Sequence, residues 1–284
     1  MGVNLESATG DLGDTVWEAV TSVYSLVLVL ILWELVGQFG LIYYNFLPPL
    51  SDILALFYEL TVSGVMIEQA ILTLQRALAG LAIAVALGIP IGMLTARNAL
   101  FDWFWNPVIA IGYPVPVISL IPVFMLWFGI GDISKVILVA VGAFWPVALN
   151  TRDATHGVDE NIIWSARMMG TSDRRLLWRV VMPAAAPGII TGIQIALPIS
   201  LIVTFIFEMI AGGGGLGHLQ IQGARQFNSP QVYAAIIAIM IVGLGLDRIL
   251  RYVREWALAW ERTRGRVCRG GRHRPRGTRR DGRP

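Results

Sequence analysis

Charged residues are scarce in this sequence. Only 14% of the 284 residues are Asp, Glu, Lys or Arg, whereas a typical soluble domain contains roughly 25%. The mean hydropathy is +0.64, and several apolar runs approach the roughly 20 residues that an α-helix needs to cross a bilayer. The composition therefore excludes an ordinary soluble domain and indicates an integral membrane protein.

Cysteine and histidine are also rare, which limits the chemistry available to the chain. With Cys268 alone, one copy can form neither a disulfide framework nor a cysteine metal site. The three histidines are scattered and are interpreted as polar loop residues: His156, His218 and His273. No His/Asp/Glu cluster or Ser/His pair falls at one membrane depth, so the sequence predicts no catalytic residue, no metal site and no enzyme activity.

A nucleotide-binding signature is missing as well. The sequence contains no G-x-x-x-x-G-K-[ST] motif, and the glycine run 212–215 lacks the Gly-Lys-Ser/Thr ending of a phosphate loop. We therefore expect no cofactor on this chain. If its activity is driven by ATP, then ATP and Mg must be bound by a separate polypeptide.

Basic residues are absent from the first 19 positions, which contain four acids. Because this segment lacks the positive region of a secretory signal, we expect residues 1–19 to form a cytoplasmic lead-in. Residues 261–284 are rich in Arg, Gly and Pro, and we expect a basic, disordered, dispensable cytoplasmic tail that can contact anionic membrane lipid. No nucleic acid is predicted as a partner, RNA binding by the tail being a less favoured alternative.

Residues 20–260 are predicted to form an all-α transmembrane domain of about six helices. The spans are expected at about 20–39, 77–96, 108–128, 136–151, 188–207 and 232–246. With the polar loop 152–186 inside, 19 of the 22 Lys and Arg residues face the cytoplasm, in agreement with the positive-inside rule. Six spans then place both termini in the cytoplasm, and only Arg76, Lys135 and Arg225 lie outside.

The third apolar run contains three prolines within nine residues: Pro114, Pro116 and Pro122. A transmembrane helix with this pattern must be broken or kinked. Irregular backbone at that depth is tolerated only where it is buried in protein or lines a wet cavity. A segment of a translocation pathway and a kinked packing helix are both consistent with the pattern.

The polar loop 152–186 has the pattern of a helix-turn-helix. Residues 159–169 can form one short helix, and Gly170 is suited to end it in a left-handed conformation. Three residues are N-cap candidates for a second helix: Thr171, Ser172 and Asp173. Pro183 is expected to close that second helix. A rigid hairpin of this kind can receive force from a cytoplasmic partner, whereas a hairpin that only anchors the loop is the simpler alternative.

This loop resembles the EAA motif of ABC-importer permeases, which reads E-A-A, three residues, Gly, nine residues, I-x-L-P. Ala166, Gly170 and Pro183 match at the family spacing, while Trp164 stands where the family usually has Glu. Further segments resemble nitrate, sulfonate and taurine permeases: LPPLSD at 47–52, TLQR at 73–76, WFGIG at 127–131, the glycine run 212–215, and Glu208 as the acid of an A-E segment.

The resemblance implies a permease of the cell (inner) membrane that translocates a small solute such as nitrate, a sulfonate or taurine. Its implied partners are cytoplasmic ABC ATPase subunits, an extracytoplasmic solute-binding protein and a second copy of the permease. The residues expected to couple to the ATPase are Asp159, Glu160, Trp164, Ala166, Arg167, Gly170 and Pro183. The candidates for the translocation pathway are Pro114, Pro116, Pro122 and Glu208.

An ion-coupled secondary transporter is the alternative function. Such a protein needs membrane-embedded charge and preferably two related halves. Glu34 and Glu208, both at the ends of predicted spans, are the only acids near the first five spans, and the sequence shows no internal repeat. These features favour the ATP-driven permease.

Overall fold

The computed structural model describes residues 24, 25 and 27–257, so the predicted lead-in 1–19 and tail 261–284 lie outside the described residues. The described residues form helices and turns without a strand, which confirms the predicted all-α fold. The helices are α1 Val27–Gln38, α2 Leu50–Val62, α3 Val65–Arg97, α4 Ala99–Gly112, α5 Ile121–Phe128, α6 Asp132–His156, α7 Glu160–Met168, α8 Asp173–Leu176, α9 Met182–Ala211, α10 Leu216–Arg225 and α11 Ser229–Ala257.

Four helices in the described part are long and apolar enough to cross a membrane: α3, α6, Asp173–Ala211 and α11. A fifth candidate is the pair of α4 with Val117–Phe128, which is bent by 90°. Helix α1 lies within the first predicted span and is one of the shorter apolar helices, of 10–17 residues, in the described part of the chain. The structure is that of a multi-pass membrane protein, and the count of six spans stays a prediction.

The break predicted in the third span is present between Gly112 and Val117, where a 3₁₀ turn at Val117–Leu120 precedes α5. Pro122 occupies the first turn of α5, a position where its missing N–H costs no helical hydrogen bond. The helix before the break begins at Ala99, nine residues earlier than predicted. The reason is an N-cap that the hydropathy pattern does not show, since the Asn98 side chain accepts a hydrogen bond from the Leu100 N–H at 2.9 Å.

The chain divides into two compact units. The first contains the described residues up to Ala82 together with Pro116–Gly142 and Ile199–Gly243. The second contains Ile83–Val115, Ala143–Pro198 and the described residues from Leu244 onward.

Close approach of α3 and α6 depends on glycine. In the first unit, a Cβ added at Gly80 would lie 2.5 Å from a Val139 methyl carbon. In the second unit, a Cβ at Gly92 would lie 2.5 Å from the Ala148 carbonyl oxygen. Apolar burial gives helices little reason to associate in lipid, so such backbone contacts supply much of their packing energy.

Candidate functional site

Helix α7 lies one residue inside the predicted 159–169 at each end. Its N-cap is Asp159, whose Oδ1 accepts a hydrogen bond from the Asn161 N–H at 2.9 Å. Glu160 in the first turn and Arg167 in the last turn complement the helix dipole. The local sequence therefore favours a helix at this place independently of tertiary contacts.

Gly170 ends α7 in the left-handed conformation that the sequence predicts, with φ of +76°. Its N–H donates to the Arg167 carbonyl at 2.9 Å, and the Thr171 N–H donates to the Ala166 carbonyl at 3.2 Å. These two bonds form a Schellman motif. No atom lies within 4 Å of where a Cβ at Gly170 would stand, so the requirement for glycine is conformational rather than steric.

The prediction that Pro183 closes a second helix is wrong. Helix α8 continues through a π-helical turn at Leu177–Val181 into α9, and Asp173–Ala211 is one helix of 39 residues. The Met182 N–H reaches back five residues to the Leu177 carbonyl. This wider turn accommodates the proline, which has no N–H of its own and would clash in a regular α-helical interior.

Of the three N-cap candidates for the second helix, Ser172 occupies the position. Its side chain makes no capping hydrogen bond. Leu176 of α8 is buried in an apolar cluster instead.

A buried apolar cluster joins α7 to α8 and α9. Its members are at most 7% exposed: Val158, Ile163, Ala166, Leu176, Val181, Ala185 and Ile189. Ala166 therefore packs inside the hairpin, where a small side chain lets the helices approach. The cluster holds α7 against α8 and the π-helical turn that follows it. We call these segments, Glu160–Met168 and Asp173–Val181, the hairpin.

The opposite face of α7 is exposed and partly apolar. Trp164 is 61% exposed and Met168 is 88% exposed, and the two lie four residues apart on one side of the helix. Asp159 and Glu160 are exposed at the start of the helix. A contiguous apolar surface rimmed by charge is typical of a protein-binding site.

A cavity of about 360 Å³ lies between the hairpin and the end of α3, and Arg97, Arg167 and Asp173 contribute its polar lining. Arg97 also donates to the Thr155 carbonyl at the end of α6, at 2.7 Å. In the sequence, Arg97 directly follows the predicted span 77–96, and its position alone indicates only the end of that span. The structure shows that it connects α3 to α6 directly before the hairpin.

Glu208, predicted as a pathway candidate, is fully buried in the first unit. Its carboxylate accepts hydrogen bonds from Arg76 Nη1 at 2.7 Å, Thr73 Oγ1 at 2.9 Å and the Gly217 N–H at 3.1 Å. The sequence placed Arg76 on the outer side but did not pair it with Glu208. These residues are 132 positions apart and follow no local pattern.

The three pathway prolines lie at the bend of the broken span or directly after it, and all three are exposed: Pro114, Pro116 and Pro122. Their role in translocation stays a prediction, as does that of Glu208.

Residues 88–257 match the family described as "Binding-protein-dependent transport system inner membrane component". The chain belongs to this family, and it is the permease component of an ABC importer rather than an enzyme. This confirms the family that the sequence resembles and the multi-pass location in the membrane.

The relatives that match most of the chain include two bacterial permeases. The permease SsuC of Bacillus subtilis, whose name refers to aliphatic sulfonates transport, is 31% identical over 233 residues, covering 82% of this chain and 84% of that protein. The taurine transport system permease protein TauC of Escherichia coli is 30% identical over 251 residues, covering 84% of this chain and 90% of that protein.

A likeness of fold extends to the MetNI methionine ABC transporter, solved in an inward facing conformation. The TM-score is 0.55 at 20% identity, and the match covers 68% of this chain and 98% of that one.

Proposed function

We propose that the chain is the gate of an ATP-driven importer for small organosulfonates, such as taurine or an alkane sulfonate. The names of SsuC and TauC support this class of solute, because each relative is about 30% identical over more than four fifths of the chain. In this proposal a binding protein delivers the solute outside the membrane. Both termini of the permease lie in the cytoplasm.

The proposed assembly contains two copies of this chain and two cytoplasmic ATPase subunits, which bind ATP and Mg. The ATPase contacts the exposed face of α7, with Trp164 and Met168 as the apolar centre and Asp159 and Glu160 as the charged rim. Aromatic and long apolar side chains are the usual energetic centres of such interfaces. At the position where a glutamate would form an ion pair with the ATPase, Trp164 contributes apolar contact area instead.

The observation that carries this proposal is the packing of α7 against a helix that is long and apolar enough to cross the membrane. The buried cluster fixes α7 to α8, and the helix from Asp173 to Ala211 is continuous. We therefore expect a displacement of α7 to move the adjoining part of this helix with it.

ATP can shift the conformation of the permease only if the ATP-bound ATPase binds one arrangement of α7 more tightly than another. In the proposed cycle, ATP binding brings the two hairpins together and opens the pathway outward. Hydrolysis returns it to the inward state. The prolines at the break of the third span, Pro114, Pro116 and Pro122, are proposed to lie along this pathway.

Uptake into proteoliposomes that contain the permease, its ATPase and the loaded binding protein tests the function. We expect taurine or an alkane sulfonate to accumulate only with internal ATP, and accumulation to persist when an ionophore collapses the proton gradient. Loss of uptake on collapse of the gradient at constant ATP would instead indicate an ion-coupled secondary transporter. Uptake of nitrate without any sulfonate would retain the ATP-driven mechanism and correct the solute.

A further inference from the structure

A second group of charged residues lies in the first unit, separate from the hairpin. We call it the outer cluster, and it contains Arg76, Asp132, Lys135 and Glu208. Arg76, Lys135 and Glu208 are at most 4% exposed, whereas the Asp132 side chain is 65% exposed. Two cations and two carboxylates balance in charge, so removing any one of them leaves an uncompensated charge in the cluster.

Four N–H groups of the Arg76 guanidinium donate hydrogen bonds. Nε donates to Asp132 at 2.9 Å, Nη1 donates to Glu208 at 2.7 Å and to the Gly214 carbonyl at 2.8 Å, and Nη2 donates to the Gly213 carbonyl at 2.8 Å. Nη2 also lies 2.7 Å from Asp132. Arginine has five such hydrogens in a fixed fork, so this side chain sets the relative positions of all its partners.

The partners include the glycine turn, residues 212–215. Lys135 Nζ donates to the Gly212 carbonyl at 2.7 Å, so three successive carbonyls of the turn accept from buried cations. All four glycines have positive φ. A Cβ at Gly215 would overlap the Glu208 carboxylate, so the turn and the cluster fit only in the absence of a side chain there.

The same residues fix the start of α10. The Gly217 N–H donates to Glu208 at 3.1 Å, the Leu216 N–H donates to Thr73 Oγ1 at 2.9 Å, and the Gly215 N–H donates to Gln69 Oε1 at 2.5 Å. Helix α10 then packs through Leu216 and Leu219 into the apolar core of the first unit. The orientation of α10 thus depends on the outer cluster.

We infer that Arg76, Lys135 and Glu208 are positioning residues that hold the glycine turn and α10 in the shape to which the loaded binding protein responds. In the proposed topology the cluster lies at the extracytoplasmic face, because Arg76 and Lys135 fall outside when the polar loop 152–186 is cytoplasmic. This step rests on the proposed function, because solute arrives at the face opposite the ATPase. Burying charged groups costs desolvation free energy that an apolar core would not require. A hydrogen-bonded network of this kind is therefore better explained by the single geometry that it specifies than by added stability.

Cysteine labelling tests the positioning without any partner protein. Leu219 on α10 is 6% exposed, so a cysteine there, with Cys268 replaced by serine, reacts slowly with a soluble maleimide. Glu208→Gln and Gly215→Ala are expected to raise its labelling rate by about tenfold or more, since both release the start of α10. Gly64→Ala is the matched control: its φ is +83°, but no atom lies within 4 Å of the added Cβ.

The functional readout is the concentration of loaded binding protein that gives half-maximal stimulation of ATP hydrolysis. The hydrolysis rate of each variant is first divided by its own unstimulated rate. We expect this concentration to rise about tenfold in Glu208→Gln and Gly215→Ala, and to remain unchanged in Gly64→Ala. If either cluster variant fails to assemble, Lys135→Met is measured in the same two assays. It removes one cation of the cluster and the hydrogen bond to the Gly212 carbonyl.

An unchanged labelling rate at position 219 would overturn the positioning role. Faster labelling with an unchanged half-maximal concentration would overturn the functional part of the inference. Failure of the complex to hydrolyse ATP at all, with labelling still faster in the variants, would count against the proposed function and leave the positioning role supported.

Discussion

Replacement of Arg76 by methionine is expected to remove most of the folded protein from the membrane. The change leaves the Glu208 carboxylate buried without its cation and removes the donors to Gly213 and Gly214. Breaking a buried ion pair in this way lowers the free energy of unfolding by about 3–5 kcal/mol. That is a large fraction of the roughly 5–15 kcal/mol typical of folded proteins. The yield of monodisperse protein in detergent and its unfolding temperature measure the effect.

Two further variants show whether charge is the cause. Arg225→Met removes an exposed arginine of the same unit and should leave the unfolding temperature unchanged. The double variant Arg76→Met/Glu208→Met removes both buried charges and should recover part of the loss, since the two residues are in direct contact. Wild-type stability of Arg76→Met alone would show that the pair contributes nothing to the fold.

Gly170→Val is expected to uncouple ATP hydrolysis from transport with little loss of folded protein. A β-branched residue at φ of +76° costs about 1–3 kcal/mol, and the strain opens the Schellman turn that sets the end of α7. Because no atom lies within 4 Å of the added Cβ, we expect the rest of the fold to keep its position. We expect solute uptake to fall by roughly tenfold or more while unstimulated ATP hydrolysis persists.

The control for this variant is Gly157→Ala, which adds a side chain next to the same loop. Gly157 has no positive φ, and its added Cβ would make only an ordinary contact with the Asp153 carbonyl at 3.5 Å. Gly170→Asn should lie between the two, because asparagine tolerates the left-handed conformation. Solute-stimulated hydrolysis at the wild-type level in Gly170→Val would contradict a role for this turn in coupling.

Features that depend on a few neighbouring residues were predictable from the sequence. Helix α7 has its own cap at Asp159 and its own stop at Gly170, so its bounds follow within one residue. Three prolines located the break in the third span. The length of the helix before that break was missed, because its cap at Asn98 lies outside the apolar run.

Three other features could not be predicted from local pattern. Pro183 looks like a helix stop, and only the π-helical turn before it shows that the helix continues. Arg76 and Glu208 meet only after α3 and α9 pack together, and no spacing in the sequence links them. Ala166 matches the family motif, but the pattern does not indicate that it faces the interior of the hairpin.

The central claim is that the exposed face of α7 receives a separate ATPase, and a cross-link from that face tests it most directly. Met168 is 88% exposed, so a cysteine at this position, in a chain with Cys268→Ser, can carry a short photoactivatable cross-linker without disturbing the hairpin. In the assembled transporter, we predict one main product that joins the permease to the ATPase subunit. A transporting complex in which position 168 yields no product with the ATPase would contradict the account.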